Sequence, residues 1–155
     1  MARSLLTLVT LAGNFATAKE AEIYWDVMSD TAMSSGKFRQ LFNCLAPLYP
    51  GYQGLQAVKP DILGEALVAE TLLKPIGPSI LSAVLNSSAA NKSRQNALTL
   101  LARLSLYKPD LNSLIEAFLA QHLQVIARET HSHLPELTVA AINKLKNNLD
   151  SDKLS

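Results

Sequence analysis

VKPDILGEALVAETLL, residues 58–73, sets the reading of the whole chain. Pro60 and Asp61 open it as helix starts often open. An aspartate there can accept from free backbone N–H groups and is favoured by the helix dipole. Gly64 comes within the first turn, although glycine inside a helix costs roughly 1 kcal/mol relative to alanine. A residue without a β-carbon at that place implies that another backbone or a bulky side chain comes close. Ala66 and Ala69 continue the small-residue theme. The expectation is a helix over 61–73, tightly packed, that couples the N-terminal part of the chain to the C-terminal part.

The chain around it has 155 residues, enough for one domain or two small ones. A compact chain of this size buries roughly 70% of its unfolded surface. Hydrophobic residues make up 48% and charged residues 17%, which suits a piece that buries more than one face. A formal net charge of +1 argues against a general polyanion binder. One cysteine, Cys44, excludes an intrachain disulfide and fits a reducing, cytoplasmic setting. The start, MARSLLTLVTLAGNFATA, has the arginine, apolar run and Ala-x-Ala of a signal peptide. Thr7 and Thr10 interrupt that run, and the helical pattern continues past it, so a structural first helix is expected. No apolar run approaches the ~20 residues that span a bilayer.

Leu5, Leu8, Val9 and Ala12 mark a helix over 4–12. Leu6 and Leu11 make it apolar nearly all round, hence central. Gly13 and Asn14 suit a left-handed stop. Thr17-Ala-Lys-Glu20 is a capping box for a helix over 18–28 with Ala21, Tyr24, Trp25 and Met28 on one face. A third helix, 36–46, presents Phe38, Leu41, Phe42 and Leu45, with Cys44 beside the stripe and read as core. Residues 46–58, APLYPGYQGLQAV, carry two prolines and two glycines, and Leu48-Tyr49 could pair with Leu55–Val58 as a short hairpin. From Asp61 onward the pattern is helical: 61–73, 78–86, 92–107, 111–129 and 135–149. The fourth of these carries Leu111, Leu114, Ile115, Phe118, Leu119, Leu123 and Ile126 on one stripe. Lys59-Pro-Asp-Ile62 and Lys108-Pro-Asp-Leu111 form a faint internal echo, and short polar turns between helices fit antiparallel pairs.

Chemistry is sparse. Ser35-Gly36-Lys37 has the form of the end of a phosphate-binding loop, but the upstream glycine is missing and Phe38 stands where Ser or Thr is needed. His122, His131 and His133 lack a cysteine or carboxylate set for a metal. Cys44 carries no signature of a nucleophile. Glu65 and Glu70, five apart, do not share a helix face and make no acid–base pair. Glu70 and Lys74 are spaced for an i, i+4 ion pair. No catalytic residue, cofactor or metal site is expected.

Three helices and then a hairpin is the order of a winged helix, whose third helix enters the major groove in DNA-binding members. Here that helix offers Lys37, Arg39, Gln40 and Asn43 as possible DNA contacts. The wing, Tyr49 to Leu55, has no lysine or arginine. Phosphate contacts dominate duplex affinity, so DNA binding is expected to be weak.

Pro60, Asp61, Ile62, Leu63, Gly64 and Glu65, with Leu67 and Val68 after them, resemble the PDLLGE segment that comes after the winged-helix region in bacterial STAND proteins, the signal-transduction ATPases with numerous domains. In that family a nucleotide-binding domain precedes the winged-helix part, and a superhelix of repeats such as tetratricopeptides comes after it. The resemblance implies a winged-helix-like domain over 1–75, with a small β-hairpin, and a helical-repeat-like domain over 76–155. The ATPase core is absent: there is no Walker A loop and no acidic strand for a metal. The resemblance implies a non-enzymatic regulatory segment that couples a sensor region to a nucleotide switch and binds protein: the rest of a larger ATPase, or a partner. Pro60, Asp61, Leu63, Gly64 and Glu65 are its signature positions. The competing readings are a winged-helix transcriptional regulator and a free-standing helical adaptor.

Overall fold

The structure, a computed structural model, describes residues 1–28, 34–49, 54–59, 61–86 and 89–121. Among these the chain forms α1 (Ala2–Ala12), β1 (Asn14–Phe15), α2 (Ala18–Met28), α3 (Ser35–Leu45), β2 (Leu55–Gln56), α4 (Asp61–Leu72), α5 (Gly77–Leu85), α6 (Asn91–Tyr107), a 3₁₀ turn (Pro109–Leu111) and α7 (Asn112–Gln121). It is mainly helical, with one two-stranded antiparallel sheet. Each helix expected before residue 108 is present, with ends shifted by no more than two residues. The continuation of α7 past Gln121, with Leu123 and Ile126, and the helix expected over 135–149 lie outside the described residues.

α1 is the centre of the molecule. Leu5, Leu8, Val9 and Leu11 retain no exposed surface, because apolar side chains cover nearly its whole circumference. It packs against α4, α5 and α6 as well as α2 and α3. Gly13 ends it with φ at +110°, a backbone that residues bearing side chains rarely adopt. The Gly13 N–H donates to the Val9 carbonyl at 2.8 Å, and the Asn96 amide of α6 donates to the Ala12 carbonyl at 3.0 Å. Carbonyls left over at the helix end are thus satisfied, one of them from a distant helix.

The start of α2 is capped as its sequence implies. Thr17 Oγ1 accepts from the Glu20 N–H at 3.2 Å. The Glu20 carboxylate reaches one residue further back than the ideal box and accepts from the Ala16 N–H at 2.9 Å. Trp25 meets Phe38 of α3 at a ring separation of 5.1 Å, and Tyr24 meets Phe15 at 5.0 Å. The Tyr24 hydroxyl accepts from the Ala90 N–H at 3.1 Å, which fixes α2 against the start of α6.

Two expectations are corrected. β2 pairs not with Leu48-Tyr49 but with β1, with Asn14 opposite Gln56 and Phe15 opposite Leu55. Leu48 and Tyr49 stay wound instead, their N–H groups donating to the Leu45 carbonyl at the end of α3. Pairing with β1 buries Phe15 and Leu55 completely, a gain that an exposed ribbon beside Leu48, 70% exposed, does not offer. The resulting order, with the strand after the first helix paired to a strand after the third, ties residues 14–15 to the far side of α2 and α3. Cys44, expected in the core, is exposed. It lies two positions beyond Phe42, about 200° around the helix, on the solvent side of a narrow stripe made by Phe38, Phe42 and Leu45.

The apolar core runs across the expected domain boundary at residues 75/76. α5 packs on α2 and α1, and α6 packs on α1. One cluster joins Trp25 and Phe38 to Leu81, Leu101 and Ile115.

Candidate functional site

α4 is apolar on two sides, and each side has a different fate. On the inner side Val68 and Leu72 enter the core, and Gly64 is buried. A β-carbon added at Gly64 would stand 2.7 Å from the Val58 carbonyl oxygen and 3.1 Å from Thr10 Cγ2. The close approach implied by Gly64 is therefore made by the chain's own backbone. Thr10 organises this corner. Its hydroxyl donates to the Leu6 carbonyl at 2.7 Å and accepts from the Val58 N–H at 3.2 Å. The segment leaving β2 is held between α1 and the first turn of α4 by that one hydroxyl.

The signature residues divide by role. Pro60 lies outside the described residues. Asp61 begins α4 as an exposed first-turn residue, and its carboxylate accepts from Lys59. The Lys59 ammonium holds the Asp61 carboxyl below its ordinary range. Glu65 is paired with Arg103 of α6 at 3.3 Å. Glu70 reaches Arg3 of α1 at 3.1 Å rather than Lys74, since α1 lies alongside. Leu63 is 56% exposed and contributes nothing to the core.

The outer side of α4 carries Ile62, Ala66 and Ala69, and Leu73 follows just past its end, at spacings of four, three and four that make one continuous seam. Ile62 is 74% and Leu73 58% exposed, while Ala69 forms the floor. Leu104, Tyr107 and Lys108 at the end of α6 wall one stretch of the seam, enclosing about 520 Å³. Lys108, Asp110 and Leu111 wall the adjoining stretch, enclosing about 310 Å³. Tyr107 is 66% exposed. Together they form an apolar groove along α4 with a rim of acidic and basic side chains. The groove is hidden from sequence reasoning because the apolar residues of a helix read as buried whichever side they lie on. The usable signal is a second apolar stripe, out of phase with the Gly64–Val68–Leu72 side.

Comparison with known proteins finds no matching family model, no matching curated protein and no matching solved structure. The groove's carboxylates Glu65 and Glu70 are ion-paired. The rest of its lining joins apolar and small side chains with Tyr107, Lys108 and Asp110, a surface of the kind that takes another helix or an apolar peptide.

Two further places bear on function. A polar cleft of about 310 Å³ lies where the end of α1, β2, the start of α4 and α6 meet, lined by Thr10, Gln56, Lys59, Asp61, Asn96 and Arg103. Its charges are neutralised as Lys59–Asp61 and Arg103–Glu65, and its Asn96 amide is spent on α1. On α3, Lys37, Arg39, Gln40 and Asn43 share the exposed side. Arg39 is engaged with Glu22 of α2 at 3.2 Å. The Ser35 hydroxyl, assisted by the Arg39 guanidinium, holds the Glu22 carboxyl below its ordinary range against the opposing effect of burial. With that carboxylate beside the α3 face, Lys37 is the α3 cation without a carboxylate partner among the described residues. No group of three or more metal-ligating side chains is found among the described residues, and the three histidines lie outside them. No single described helix is long and apolar enough to cross a membrane.

Proposed function

We propose that this chain is a non-enzymatic regulatory module that acts by docking protein along α4, as the segment of a STAND-type signalling ATPase that relays a sensor's state to a nucleotide switch. The observation that carries this reading is the division of α4. Its inner side is locked to α1 through Gly64, Thr10 and Val58, while its outer side exposes Ile62, Ala66 and, just past its end, Leu73 above the buried Ala69. A helix held rigidly on one side and exposing apolar surface on the other transmits a rearrangement of its docked partner to the core. The PDLLGE-like residues from Asp61 to Glu65 lie on this helix. Leu63 is exposed beside this seam, and Glu65 stands at the rim of the groove, paired with Arg103.

The test is to read the native genomic frame upstream of the Met1 codon. An open frame running back through a phosphate-binding loop is the expected result. A stop codon with a ribosome-binding site just upstream would sink the ATPase reading and leave a free-standing adaptor that uses the same groove. No observation favours the transcriptional-regulator reading: the one arginine on the α3 face is committed to Glu22.

A further inference from the structure

We infer that the α4 seam is a homodimer interface: a second copy of this chain docks antiparallel along it, about a twofold axis at the seam's midpoint. The seam is symmetric about that point. From Ile62 through Ala66 and Ala69 to Leu73 it runs large, small, small, large at spacings of four, three and four, and it reads the same in reverse. Leu73 keeps its place on the line although α4 ends at Leu72, because its N–H still donates to the Ala69 carbonyl at 3.4 Å. A twofold contact sets one patch against itself, so it needs a surface of this kind. With the two helices antiparallel, Ile62 faces the partner's Leu73, and Ala66 lies over the partner's Ala69. The low centre lets the helices approach, and the large residues close the ends. Nothing about a foreign helix requires this symmetry, whereas a second copy does.

The charges are self-complementary in the same way. Glu65 and Glu70 are already paired with Arg103 and Arg3. That leaves Lys108 and Asp110 as the lining charges without an ion-pair partner among the described residues, one of each sign. Lys108 lines both stretches of the groove, and Asp110 only the one toward Leu73. In the symmetric pair Lys108 meets the partner's Asp110, and Asp110 meets the partner's Lys108.

The area is that of a small dimer. Ile62, Leu63, Leu73, Leu106 and Tyr107 each expose more than half of their surface. Leu63 shares a line of α4 with Glu70, seven residues on, and Leu106 falls on the side of Arg103, three residues before it. Five such side chains present roughly 400 Å² of open apolar surface, counting about 100–200 Å² for a whole one. A standard interface takes about 800 Å² from each partner, a little over half of it apolar. The patch therefore supplies close to the apolar share of one. The inference rests on α4 being a docking face, but it fails separately from the ATPase reading, which the upstream frame decides.

The experiment follows the full chain by sedimentation equilibrium from about 1 to about 300 µM, a range that brackets weak interfaces of this size. A reversible monomer–dimer equilibrium is expected. Ala66→Glu, at an exposed position, sets two carboxylates near the twofold axis and should weaken the dimer at least about tenfold, with the thermal melt by circular dichroism unchanged. Lys108→Asp and Asp110→Lys should each weaken it, since each leaves like charges facing. The doubly exchanged chain, Lys108→Asp/Asp110→Lys, should regain the wild-type dimer. A chain that stays monomeric throughout overturns the inference and leaves the groove to a different protein. A dimer that Ala66→Glu leaves intact overturns it as well, and places self-association elsewhere. If the exchanged chain does not regain what the single variants lose, the twofold register is wrong.

Discussion

Gly64 shows how much a single residue can settle. Its α-carbon sits against the Val58 carbonyl and Thr10, so any side chain there must push backbone rather than a flexible tip. Gly64→Leu should lower stability by about 1–3 kcal/mol, as overpacking does. Gly64→Ala should also be destabilising, because the clash at 2.7 Å exceeds what better helix propensity returns. Denaturant unfolding measures both, and an unchanged midpoint for Gly64→Leu would refute the close contact. Glu22 makes a pH prediction. Its folded-state value is lowered by Ser35 and Arg39, so its contribution is present in full above the ordinary glutamate value of about 4.3 and is lost as pH falls below it. Glu22→Gln should flatten the decline of melting temperature below that pH and leave its slope near neutrality unaltered.

At the scale of elements, α4 has a buried side and an exposed one, and its leucines separate them. Leu72→Ala, which empties a site 1% exposed, should cost about 2–5 kcal/mol. Leu63→Ala, more than half exposed, should change stability by less than about 0.5 kcal/mol. Equal effects in denaturant unfolding would mean that the two faces are not divided in this way. α3 makes the complementary case. Its Arg39 is spent on Glu22, and its remaining cation is Lys37. Fluorescence anisotropy with random duplex DNA should show only weak binding at physiological salt, with a shallow salt dependence. Tight binding that weakens steeply with salt would restore the transcriptional-regulator reading.

For the whole molecule, the deciding feature is α1. It is buried on all sides and touches elements from both expected halves, so residues on either side of 75/76 share one core. Trp25, the single tryptophan, reports the packing of α2 on α3, while far-UV circular dichroism reports helices throughout. The two signals should give coincident unfolding midpoints in urea, the mark of one cooperative unit. Two resolved transitions would mean that the halves fold as separate domains in spite of the shared core.

The elements themselves were legible in the amino-acid order. Apolar spacing of three and four placed the helices, Gly13 placed the end of α1, and Thr17 with Glu20 placed the start of α2, because these depend on neighbours within one turn. Gly64 even announced a close contact, since only proximity makes a missing β-carbon worthwhile. Partnership, by contrast, was settled in three dimensions. Nothing local to Leu55-Gln56 says that it prefers Asn14-Phe15, across two helices, to the adjacent Leu48-Tyr49. Nothing in the α3 pattern says that Cys44 falls outside a stripe as narrow as the one that packs. The groove belongs to the same class. It is made of α4 and the end of α6, more than thirty residues apart in the chain. An apolar residue looks alike in sequence whether it faces the core or an open seam. Burial is a property of the surface opposite a side chain, and that is fixed only when the helices have chosen their neighbours.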